Sequence, residues 1–182
     1  MVSLSSLLTP GRRLSSAEYE ELVLEGVLEG KRIELVDGAL VEMSPQSERH
    51  ARVIQRLMRL FSPRLDLVRV QMPLAVGEGW VPEPDVAIAH PNSERDRWPA
   101  AALLVVEVSV TTQSHHRRKA LAYARAGVPI SWLVDLPART VIVQSSPTRE
   151  GYASARVRRG SDVLEHRITG VEPITVADLL AG

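Results

Sequence analysis

The stretch from residue 103 to residue 134 constrains the fold of this chain more than any other. It opens with Leu103-Leu-Val-Val-Glu107-Val-Ser109, a nearly continuous apolar run of strand length, and closes with a second one, Ile130-Ser-Trp-Leu-Val134. Between them residues 114–126 read as a helix that stops at Gly127 and Pro129. Strands apolar along their whole length are the kind buried on both faces of a sheet, so strand, helix and strand predict a βαβ unit. In such sheets functional groups collect where strands end and loops diverge. Glu107 is therefore the first residue to account for, because an acid inside Leu-Val-Val-Glu-Val has few structural reasons to be there and needs a partner once buried.

A second acid stands in a comparable place. Val81-Pro-Glu-Pro-Asp85 leads straight into Val86-Ala-Ile-Ala89, another short buried-strand run, which sets two carboxylates near strand ends. Upstream, Ser15-Ser-Ala-Glu18 has the capping-box spacing, and Tyr19, Leu22, Val23 and Val27 follow at helical intervals, predicting a helix that ends near Gly26 or Gly30. Asp37-Gly38 between Arg32-Ile-Glu-Leu-Val36 and Ala39-Leu-Val-Glu-Met43 is a strong hairpin signal. A second helix is expected over 46–61, with Val53, Ile54, Leu57, Leu60 and Phe61 inward and Arg49, Arg52, Arg56 and Arg59 outward. Further strands are expected over 67–76 and 140–144, a tail hairpin over 153–168, and a final helical turn over 176–180. The whole is a mixed α/β fold, a central mixed sheet flanked by helices.

Composition limits the class. With 182 residues and 45% hydrophobic content, the chain suffices for one domain, 1–182, with a real core. Lys plus Arg and Asp plus Glu balance at 22 each, so there is no global basic field, and any nucleic-acid contact must use a local patch. Absence of cysteine excludes disulfides and thiolate chemistry. No apolar run approaches the roughly 20 residues of a membrane span, and Met1 to Pro10 lacks the early basic region of a signal peptide. No membrane association and a cytoplasmic location are the expectation.

Two carboxylates and an amine form the kit for metal-assisted phosphodiester cleavage. Mg²⁺ takes one or two carboxylates and completes its shell with waters and phosphate, so Asp85 and Glu107 suffice, and Lys119 is the candidate amine. Glu34, pointing opposite to Ile33 and Leu35 on its strand, could add a direct or outer contact. His50, at the start of the second helix, could meet a phosphate or a carboxylate in the same cleft, and Gln71 could line it. Each has a plainer reading. Asp85 alone is a turn residue after proline, Lys119 a solvated helix residue, His50 a helix-end residue and Gln71 a half-buried strand residue. The arginine stripe that includes Arg52 is either a phosphate contact or simply a solvated face. His115-His-Arg-Arg118 reads as a basic helix start, since neighbouring histidines on a helix diverge by about 100°.

Five segments in order then carry a resemblance: Glu34-Leu-Val-Asp-Gly-Ala-Leu-Val-Glu-Met-Ser-Pro45, Arg49-His-Ala51, Glu83-Pro-Asp85, Leu104-Val-Val-Glu-Val108, and Lys119-Ala-Leu-Ala-Tyr-Ala-Arg-Ala-Gly-Val128 with Trp132-Leu-Val-Asp135. Over most of its length the chain resembles a large bacterial family of restriction-endonuclease-like proteins within the PD-(D/E)XK nuclease superfamily. The resemblance implies a four-stranded mixed core sheet, Mg²⁺ (or Mn²⁺) as cofactor, and DNA as substrate. It makes Asp85 the motif aspartate, Glu107 the second acid and Lys119 the lysine, displaced onto the following helix because Ser109 holds the usual lysine position. Asp85, Glu107 and Val108 become the metal positions, Glu34 joins the catalytic group, and His50, Gln71 and Arg52 the substrate contacts. Relatives often carry an acid soon after the glutamate and another before the lysine, where Val110 and His116 stand here, and this segment is one residue shorter than usual. A metal-dependent DNA endonuclease is the reading that follows, most easily a homodimer or higher homo-oligomer because a duplex has two strands to cut. The alternative is a catalytically degenerate nuclease fold that binds nucleic acid or serves as an oligomeric interaction module.

Overall fold

The computed structural model describes residues 12–43, 45–93, 97–110 and 114–181, with the side chains of 114 and 115 left aside. The Met1 to Pro10 stretch, and with it the expectation of no signal peptide, lies outside them. Among the described residues no helix is long and apolar enough to cross a membrane.

Local signals produce the first elements. Helix α1 (Ser16–Leu24) begins at Ser15, whose side chain accepts from the Glu18 amide while the Glu18 carboxylate accepts from the Ser15 amide. Strands β1 (Ile33–Val36) and β2 (Ala39–Glu42) pair antiparallel with Val36 opposite Ala39. Asp37 and Gly38 both take positive φ, 54° and 73°, as the tight turn matching strand twist requires. The hairpin is anchored at Leu35, which exchanges main-chain hydrogen bonds with Val81 at 3.3 and 2.9 Å. That clamp sets β1 beside the Pro82-Glu-Pro-Asp85 segment.

Helix α2 (Glu48–Leu60) turns Val53, Ile54 and Leu57 inward, followed by buried Phe61. Leu60 is only half-buried. The central sheet has six strands, β3 (Val68–Val70), β4 (Val86–Ala89), β5 (Ala102–Ser109), β6 (Ile130–Asp135), β7 (Thr140–Thr148) and β8 (Gly151–Arg158), lying side by side in that order. Only β5 and β6 are parallel; the other neighbours are antiparallel. Helix α3 (Ser114–Arg125) makes the crossover between them. The mixed α/β fold is as expected, with two strands more than the four-stranded core that the resemblance implies.

Strands β4, β5 and β6 are buried on both faces of the sheet, which explains their unbroken apolar runs. Val86, Ile88, Leu104, Val106, Trp132 and Val134 meet α2 and the C-terminal segment on one side. Ala87 and Val105 meet Ala122 and Tyr123 of α3 on the other. The tail forms β9 (Val163–Leu164) paired with β10 (Ile174–Thr175) and a last helix, α4 (Val176–Leu180).

Two expected elements differ. The strand expected over 67–76 ends at Val70, because Gln71 adopts φ 50° and Pro73 has no N–H to donate. The tail hairpin expected over 153–168 does not form as such. Strand β7 runs on through Ser145, Ser146 and Pro147, residues that punctuate most sequences, and β8 pairs with it, Thr148 facing Gly151.

Candidate active site

The β4 and β5 strands are antiparallel with Val86 opposite Val106, so Asp85 and Glu107 each stand one residue beyond that pair and are brought together at one end of the sheet. Both are buried, as are Glu34, His50 and Lys119. Burial of five titratable side chains in one place demands mutual satisfaction, and the contacts supply it. Lys119 Nζ lies 2.8 Å from Glu107 Oε1 and 3.0 Å from Glu34 Oε2, and 3.4 Å from the Glu83 carbonyl. Asp85 Oδ2 accepts from the Val108 amide at 2.7 Å and lies 3.0 Å from His50 Nε2. Glu34 Oε2 also accepts from the Glu83 amide at 2.9 Å, which ties β1 to the loop before β4.

These groups line one open cavity of about 580 Å³, formed by the β1–β2 hairpin, the start of α2, the ends of β4 and β5, and α3. Glu34, His50, Asp85, Glu107, Val108 and Lys119 all face it. Gln71 and Arg52 do not. The Gln71 amide donates to the Pro84 and Asp85 carbonyls, so its contact with the site is through main chain. Arg52 is exposed on α2 and pairs with Glu48 at 3.1 Å.

Three residues with stakes in the cavity were not in the expected set. Tyr123 donates its hydroxyl to Glu107 Oε1 at 2.7 Å. His116, which reads as part of a basic helix start, lines the cavity with Nδ1 3.7 Å from Glu107 Oε2. Arg32 stands at the hairpin edge of the cavity. A signal for the first two was present, since His116, Lys119 and Tyr123 are spaced at i, i+3 and i+7 on one helix and share a face.

Charge explains the protonation pattern. Burial pushes the Glu107 carboxyl up, but the Lys119 ammonium and His116 outweigh it and hold the group down at about 2. Burial works against the Lys119 ammonium, and Glu107 and Glu34 together raise it above its ordinary value. Glu83 is raised, first by burial and then by Glu34. A carboxyl held below its unfolded value stabilises the fold at any pH above the ordinary carboxylate range, and that stability is lost as pH falls through the folded value. Acid unfolding followed by circular dichroism is expected to show a decline between about pH 4.5 and 2 that is shallower in Glu107→Gln.

The donor set suits a hard dication. Among the cavity-wall side chains other than histidine, the acids Glu34, Glu42, Asp85 and Glu107 outnumber the bases Arg32 and Lys119 by two. Among the described residues no group of three or more His, Cys, Asp or Glu side chains is arranged to hold a metal ion. Two carboxylates, with Val108 lining the same cavity, match the sparse protein ligation of Mg²⁺, which leaves the other positions to water and phosphate.

Comparison with known proteins agrees with the fold. A crystal structure described as that of "a putative nuclease belonging to DUF820 from Anabaena variabilis ATCC 29413" superposes with a TM-score of 0.72 over 92% of this chain and 98% of that one, at 16% identity. That likeness shows a shared fold. No curated protein matches the chain. A family profile described as "Putative restriction endonuclease" matches residues 16–177, from the first residue of α1 into α4. With nearly its whole length matched, cavity-lining residues included, the chain belongs to the Uma2 family of restriction-endonuclease-like proteins.

Proposed function

We propose that the protein is a metal-dependent DNA endonuclease whose reaction centre is the cavity holding Asp85, Glu107 and Lys119. The observation that carries this reading is their convergence: from three separate elements they meet in one open cavity with a surplus of two negative charges. The family description supports a nuclease. Asp85, Glu107 and the Val108 carbonyl are the groups that would hold Mg²⁺ or Mn²⁺. When bound, such an ion polarises the phosphoryl group and lowers the pKa of a bound water.

The protein's own groups do the rest. Lys119 keeps its ammonium charged at the cavity wall and opposes the negative charge that builds on the phosphoryl oxygens as the bond to the attacking water forms. Glu34 keeps that ammonium in place from the side opposite Glu107. His50 holds Asp85 by one oxygen, as does the Val108 amide, which fixes the rotamer of the carboxylate. Gln71 and Arg52 lie away from the cavity and take no part at the reacting phosphate.

One observation favours a second reading, a nuclease fold that binds nucleic acid without cutting it. Lys119 and Glu107 already satisfy each other at 2.8 Å, and His116 stands 3.7 Å from the other oxygen of the same carboxylate. Thermal melting of metal-stripped protein separates the two. The endonuclease reading expects Mn²⁺ to raise the melting temperature of the wild type and to leave Asp85→Asn and Glu107→Gln unmoved. An unmoved wild type that still binds DNA, with affinity falling steeply with salt, would favour the second.

A further inference from the structure

The side chain of Tyr123 is buried in the layer between sheet and α3, in one cluster with Leu74, Val76, Ala87 and Val105. A phenol buried there needs an acceptor. Tyr152, packed against the same cluster, uses main chain and donates to the Val128 carbonyl at 2.9 Å. Tyr123 instead donates to a side-chain oxygen of the candidate active site, Glu107 Oε1, at 2.7 Å. The ammonium of Lys119 reaches the same oxygen at 2.8 Å. Four residues apart on α3, the two donors rise from one helix face and converge on one atom. The contact to the other oxygen, Oε2, comes from His116 on the cavity wall, at 3.7 Å.

We propose that Tyr123 is a positioning residue which, with Lys119, pins Oε1 of Glu107 so that Oε2 is presented to a divalent cation as a single-oxygen ligand. This rests on the reading of Asp85 and Glu107 as cation ligands. The last torsion of a glutamate is broad and two-fold, so a carboxylate held by one donor can swing to offer both oxygens or turn further toward the ammonium. A second donor on the same oxygen removes that freedom. Hydrogen-bond partners of metal ligands typically account for 10–100-fold in metal affinity. The sequence spacing alone does not separate this role from that of an ordinary core aromatic; the identity of the acceptor does.

The test is calorimetric titration of the metal-stripped full chain with Mn²⁺, comparing wild type, Tyr123→Phe and Tyr152→Phe. Each substitution removes one hydrogen-bonded hydroxyl and keeps the ring, but only the first touches Glu107. Tyr123→Phe is expected to raise the Kd for Mn²⁺ roughly tenfold, and Tyr152→Phe to leave it unchanged, with both variants folded by circular dichroism. Tyr123→Met, which also lacks the donor, is expected to behave like Tyr123→Phe and provides the measurement should the first variant not fold. Cleavage by Tyr123→Phe should fall at limiting Mn²⁺ and recover at saturating Mn²⁺. A folded Tyr123→Phe with the wild-type Kd would overturn the positioning role while leaving the site reading intact. Failure of the wild type to bind Mn²⁺ would overturn both.

Discussion

Glu107→Gln is expected to lower DNA cleavage by at least about 10²-fold, the scale on which loss of one preorganised charged group is felt at a reacting centre. Glutamine keeps the volume and one oxygen, so the Tyr123 hydroxyl and Lys119 ammonium retain an acceptor at the position of Oε1. What disappears is the negative charge. The cavity wall falls from an excess of two negative charges to one, and with the amide oxygen kept by Tyr123 and Lys119 an –NH2 group replaces the anionic Oε2 that would face a dication. Single-turnover cleavage at saturating Mn²⁺ measures the effect directly. A rate near that of the wild type, in protein shown to be folded, would remove Glu107 from the reaction.

Lys119→Met is expected to give the largest loss of stability of any single substitution at the site, about 3–5 kcal/mol, the usual cost of removing one partner from a buried ion pair. Methionine fills the space of the lysine stem without its charge. Glu34 and Glu107, at 1% and 5% exposure, are then left as buried carboxylates with no ammonium between them. Urea denaturation at neutral pH should show a lower midpoint with an unchanged slope. Lys119→Met combined with Glu34→Gln should recover part of the loss, since the double variant leaves one fewer uncompensated charge; groups that share a partner couple in this non-additive way. Additive destabilisation would mean that Glu34 and Lys119 do not depend on each other for their burial.

The parts of the fold legible in the sequence are those with local causes. Ser15 with Glu18 marks the start of α1, and Asp37-Gly38 the tight turn between β1 and β2. The two apolar runs around residues 114–126 became parallel strands joined by a helix. What escaped was decided by tertiary pairing. Nothing in the local pattern marks Gln71 as the residue whose positive φ ends β3, and Ser145-Ser-Pro147 joins a strand because β8 is there to pair with it.

The candidate site divides along the same line. Glu107 stood out because an acid inside an apolar run contradicts its surroundings, and the structure resolves the contradiction with Lys119, Tyr123 and a cavity wall. Glu34, His50, Asp85 and Val108 also reach that wall. Arg52 does not, because the helical stripe it belongs to faces outward and finds Glu48 one turn away. Lys119 lies far along the chain from Glu34, and their contact depends on long-range pairing of the hairpin, at Leu35 with Val81 and at Gly38 with Gly79. Tyr123 and His116 were visible in spacing but not in role, for a tyrosine on an inward helix face ordinarily means packing and a histidine beside arginines ordinarily means a solvated turn.

Cation-dependent hydrolysis of DNA at the cavity is open to one direct experiment. Labelled duplex and single-stranded DNA are incubated with the metal-stripped protein, with Mn²⁺ or Mg²⁺ added or withheld, beside folded Asp85→Ala and Glu107→Ala variants. Cleavage of at least one substrate is expected to appear only with the cation and to be lost in both variants. Cleavage that persists in either variant, or a wild type that cuts neither substrate under any of these conditions, would contradict the endonuclease reading.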